Sequence, residues 1–122
     1  GLVANTDFLA NKTLALNFMK AYVASVHEMQ DEAAFLKVAM QLAGINAAVA
    51  QESFRNLYFS EAIDVKAITE AAKLGARFGY TKSDVSDKVT GIIDFEPLMA
   101  ATGKTQAQLT GTPPSAQKLV RR

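Results

Sequence analysis

The sequence predicts a mainly α chain. Three observations carry that expectation. Apolar residues recur at helical spacing through most of the first hundred positions, and Asp or Asn stands at the start of several such runs. Glycines fall where two of the runs stop. Hydrophobic residues make up 49% and charged residues 20% of 122, a globular balance with enough chain for one core.

Leu2, Val3 and Ala4 form a short apolar run of the kind a buried strand would use, and Asn5, Thr6 and Asp7 predict a bend. Phe8 and Leu9 fit a single helical turn. A helix is expected over 13–27. Its polar residues Thr13, Asn17, Lys20 and His27, with Ala24, make one narrow stripe, and Leu14, Leu16, Phe18, Met19, Tyr22, Val23 and Val26 cover the rest. A helix apolar on several sides requires protein on several sides.

Asp31 is the expected N-cap of the next helix, which stops at Gly44. Asn46 opens a third helix running to about Tyr58, with Val49, Ala50, Phe54, Leu57 and Tyr58 on one face. Asp64 opens a fourth, ending at Gly79. There Val65, Ile68, Ala71, Ala72, Leu74 and Phe78 are expected to face inward and Lys66, Glu70, Lys73 and Arg77 to face water. Residues 80–94 predict a loop with one helical turn. Asp94 caps a short helix that accepts Pro97 in its first turn and ends by Gly103. The division expected is a helical segment over 1–102 and an extended or disordered tail over 103–122, where glycines and Pro113-Pro114 dominate.

Charge and composition narrow the function classes. A formal net charge of +1 lacks the basic excess of a polyanion binder, so no nucleic-acid partner is expected. The closing Lys118-Leu119-Val120-Arg121-Arg122 reads as a solvated tail. Cysteine is absent, which excludes disulfides, thiolate metal ligands and a Cys nucleophile. No apolar run reaches the roughly 18–20 residues of a membrane span. The opening Gly1-Leu2-Val3-Ala4-Asn5 has neither an initiator Met nor a signal-peptide pattern and reads as the interior of a longer protein, so a processed product or fragment is expected.

No catalytic or metal-ligating set is found, and no cofactor is expected. His27 is the single histidine, placed near a helix C-terminus where its charge suits the dipole, and no HxxxH or HExxH accompanies it. Asp31, Glu32, Asp84 and Asp87 sit where helix starts favour negative charge. Asp84, Ser86 and Lys88 fail as a calcium loop because a lysine occupies a ligand position. Gly75, Gly79 and Gly91 make no phosphate loop. Gly103-Lys104-Thr105 copies the end of a Walker A motif, but Leu98 stands where its first glycine belongs.

The order of pieces resembles a known family. Val3 to Phe8 lead into Met19 to Ser25, then Asp31 to Ala34, Gly44 to Ala50 and Ile68 to Gly79. That succession is similar to the C-terminal segment of periplasmic solute-binding proteins of the nitrate, sulfonate and taurine importer group, which includes thiamine-precursor-binding proteins. It spans about residues 2–100. Asn11-Lys12-Thr13 departs from the family, which has a proline after the corner asparagine. The resemblance implies the helical C-terminal portion of a two-lobed α/β protein, with at most one or two short strands in this chain. It implies a periplasmic protein, not an enzyme, that delivers a small, anionic solute to the membrane subunits of an ABC importer. It carries over no solute-binding residue. The alternative is a stand-alone helical interaction or dimerisation module, and a homo-oligomer is expected wherever broad apolar faces lack cover.

Overall fold

The structure is a computed structural model that describes residues 2–111. Helices α1 (Thr6–Ala10), α2 (Lys12–Glu28), α3 (Glu32–Ala43), α4 (Ala47–Arg55) and α5 (Val65–Arg77) follow one another. A 3-10 turn, Ser86–Lys88, then leads to α6 (Val89–Ile92), α7 (Glu96–Thr102) and α8 (Gln106–Leu109).

Local side-chain chemistry sets most of these starts. Asn5, Asn11, Asp31, Asn46 and Asp64 each accept a hydrogen bond from the backbone N–H three residues on. Each satisfies a donor that the first helical turn would otherwise leave bare, a contribution of about 1 kcal/mol. Asn11 serves twice: its backbone closes α1 onto Phe8 O and its side chain opens α2. The ring of Phe8 meets Phe18 edge-on at 5.6 Å, folding α1 against α2. Gly44 ends α3 with φ +65°, a left-handed conformation that costs glycine nothing.

The core gathers distant parts of the chain. Val23 of α2 packs with Phe95, Leu98 of α7 and Leu109 of α8, flanked by Met19, Tyr22, Ile63 and Ala101. α2 and α7 form the central helix pair. α3 and α4 form a separate hairpin. Phe35 of α3 holds it together, meeting Phe54 of α4 at 5.3 Å and Phe59 of the following loop at 5.7 Å. α5 packs on the 3-10 turn and α6, where Val89 is buried.

Four expectations need correction. Leu2–Ala4 form no strand: they run irregular and exposed, and the pairing among the described residues is one isolated parallel bridge between Ile63 and Thr110. The helix expected to reach Tyr58 stops at Arg55, where Asn56 turns its amide back to the carbonyl of Glu52. The face of α5 expected to point inward splits in two. Val65 and Ala72 are half-buried, while Ile68, Leu74 and Phe78 are exposed.

The fourth correction concerns the tail. Residues 103–111 are structured. Thr105 and Gln108 make a reciprocal capping box, α8 follows, and Leu109 becomes the most deeply buried large side chain at 1% exposure. Ile63 N–H donates to Leu109 O at 2.8 Å and Gly111 N–H to Ile63 O at 2.9 Å, tying this stretch to the loop before α5. A boundary at 102 is thus overturned by a core residue that lies beyond it. The rest of the expected tail, with Pro113-Pro114 and Lys118 to Arg122, lies outside the described residues.

Candidate functional site

The residues singled out in the sequence do not converge on a catalytic centre. Asp31 caps α3 at 2.9 Å from Ala34 N, and Glu32 sits in the first turn of that helix. Asp84 accepts from Ser86 N at 2.8 Å, a bond that holds its carboxyl below the usual carboxylate range. Asp87 lies in the 3-10 turn that follows. Gly103 supplies a left-handed end to α7 at φ +68°, and Thr105 caps α8. Gly103-Lys104-Thr105 is therefore a helix–turn–helix junction, not a phosphate cradle. No group of three or more His, Cys, Asp or Glu among the described residues could hold a metal ion. No described helix is long and apolar enough to cross a membrane.

A polar constellation does form among the described residues, around Glu61. Glu61, in the loop between α4 and α5, has a side chain only 9% exposed. Its Oε1 accepts from Lys104 Nζ, and its Oε2 lies 3.4 Å from His27 Nε2 at the end of α2. The Lys104 hydrogen bond, with help from the charges of Lys104 and His27, holds the Glu61 carboxyl below its ordinary value against the opposing effect of burial. Gln30 Nε2 donates to Phe59 O at 2.9 Å in the same loop. These contacts clasp the loop to the ends of α2 and α7. A lone acidic residue in a short loop gives no hint of partners 34 and 43 positions away (61 − 27 and 104 − 61).

The larger feature is apolar surface left in water. Among the described residues the buried core consists of eight side chains, two of them alanine, whereas sixteen large hydrophobic side chains are exposed. They fall in groups. α2 presents Leu14 and Phe18. The α3–α4 hairpin presents Val38, Met40, Leu42 and Val49, and Leu42 is 84% exposed. Leu57 and Tyr58 continue that surface after α4. Val49 and Leu57, with Glu52, Ser53 and Asn56, line an open groove along α4. α5 presents Ile68, Leu74 and Phe78, followed by Tyr80. Isolated exposed apolar residues are ordinary, but grouped ones on three helical faces leave contiguous apolar surface uncovered by the described residues.

A second open groove, lined by Ile93, Phe95, Met99 and Gln106 among others, runs beside α7. Both grooves are open and mix polar with apolar side chains, Glu52, Ser53 and Asn56 in the first and Thr90, Asp94, Glu96 and Gln106 in the second. No protein-family model matches the chain, and no curated protein or solved structure matches it either.

Proposed function

We propose that this chain is the helical C-terminal portion of a two-lobed periplasmic solute-binding protein, of the group that delivers small anionic solutes to ABC importers. The observation that carries the proposal is the water-exposed apolar surface of α2 and the α3–α4 hairpin, above all Leu14, Phe18, Leu42, Val49 and Leu57. Helices with that property suit the flank of a mixed sheet, where one side covers strands and others meet neighbouring helices. The order of pieces from Val3 to Gly79, resembling that family, supports the same assignment. In such a protein two lobes close over a solute held by hydrogen bonds, and no covalent step is involved. These helices would act by buttressing one lobe, with solute held elsewhere.

The test is a binding titration on two samples, the 122-residue chain and the protein encoded by its whole reading frame. Calorimetry with nitrate, taurine, alkanesulfonates and a thiamine precursor is expected to give saturable binding of one solute by the longer protein and none by the chain alone. A reading frame that encodes no α/β lobes ahead of Gly1, or a longer protein that binds none of these solutes, overturns the proposal.

A further inference from the structure

We infer that α5 is a self-pairing helix: two copies of this chain associate through an antiparallel α5–α5 contact centred between Ala71 and Leu74. The inference rests on the sequence and exposure of α5 and does not depend on the transport reading.

The packed side of α5 is Val65, Thr69, Ala72, Gly75 and Ala76, all half-buried. A second apolar line lies about a third of a turn or more away from it and is exposed among the described residues. It consists of Ala67, Ala71, Leu74 and Phe78, spaced four, three and four apart. That is the spacing of a coiled-coil seam. Leu74 is 47% and Phe78 67% exposed, too much for a face that the other described residues cover.

The line runs from small residues to large. Reversed against itself, it sets Phe78 of one copy over Ala67 of the other and Leu74 over Ala71, so that each large side chain meets a small one. A two-fold contact must be self-complementary in this way. The charges agree with the same register. In an antiparallel pair the residues preceding the first seam position of each heptad meet across the interface. Here these are Glu70 and Arg77, of opposite sign. Each copy contributes one of each, giving two equivalent ion pairs. Ile68, itself exposed, flanks the other side of the seam.

Within one chain Glu70 pairs with Lys73 at 2.9 Å and the Arg77 guanidinium rests 5.8 Å from the Phe78 ring centre. Both contacts are solvent-exposed, so exchanging them costs little. A seam of three to four turns buries less than the roughly 800 Å² per partner of a stable complex. The association is therefore expected at micromolar or weaker strength.

Sedimentation equilibrium of the 122-residue chain, from ~10 µM to ~1 mM, reads the association directly. Glu70→Arg alone and Arg77→Glu alone place like charges across the seam, and each is expected to weaken dimerisation about 10-fold. An equimolar mixture of the two variants restores opposite charges in the heterodimer and is expected to return to within about threefold of the parent. A second readout needs no variant. Phe78 and Ala67 of one helix are about 16 Å apart along its axis, so a nuclear Overhauser contact between them in a mixed-isotope sample comes from two molecules. A chain that stays monomeric at ~1 mM, association indifferent to either charge reversal, a mixture that does not recover, or absence of the Phe78–Ala67 contact in the dimer overturns the inference.

Discussion

Glu61 and Lys104 form an ion pair that closes the loop between α4 and α5 onto the turn between α7 and α8. The carboxylate is nearly covered, while the ammonium keeps 45% of its side chain in water. His27 Nε2 stands at 3.4 Å on the second carboxylate oxygen. Glu61→Gln removes the charge with little change of shape. It is expected to lower the unfolding free energy by about 1–2 kcal/mol, measured by urea denaturation at pH 7. An unchanged midpoint would show that the clasp is ornamental.

The same carboxyl makes stability depend on acid. Its value in the folded chain is lowered from 4.5, chiefly by the Lys104 hydrogen bond. Its contribution is therefore fully present above 4.5 and is lost as pH falls through the lower folded value. Denaturation midpoints measured between pH 6 and pH 3 are expected to fall less steeply for Glu61→Gln than for the parent chain. Equal slopes would remove Glu61 from the acid response.

Leu109 is 1% exposed and packs on Val23, Phe95 and Leu98. Leu109→Ala leaves a cavity in a core with few members and is expected to cost about 2–4 kcal/mol. Leu42→Gln, at a side chain 84% exposed, is expected to stay within about 0.5 kcal/mol of the parent. Thermal denaturation of the two variants side by side checks the contrast. A harmless Leu109→Ala would mean that α8 does not belong to the core.

Phe35 joins α3, α4 and the loop at Phe59. Because the hairpin meets the α2–α7 core so sparingly, Phe35→Ala is expected to raise amide exchange across 32–55 while leaving the central turns of α2 protected. Uniform loss of protection would show instead that the chain unfolds as one unit.

Where side chains act on their own backbone, the sequence was readable. Asp31, Asn46 and Asp64 were identifiable as caps and Gly44 as a stop because each works within a few residues of itself. The helical class follows from the same local signals. What escaped was long-range. The Thr105–Gln108 capping box is a visible motif, but glycines and prolines around it argued for an extended tail. Only packing of Leu109 against α2 and α7 makes that short helix worthwhile. Glu61 was invisible for a related reason, since its partners come from the ends of two other helices. The α5 periodicity was plain, yet periodicity alone did not reveal that its apolar residues divide between a packed line and an open one.

The layout of the core also bears on how the chain folds during synthesis. Val23 emerges from the ribosome before Phe95, Leu98 and Leu109, which cover it. Until they do, the side of α2 that carries Val23 is uncovered, and the local units able to form are α1 with α2, then the α3–α4 hairpin, then α5 with its neighbouring turns. Until Leu109 arrives to close the core, that side of α2 is open to aggregation or to a holding chaperone.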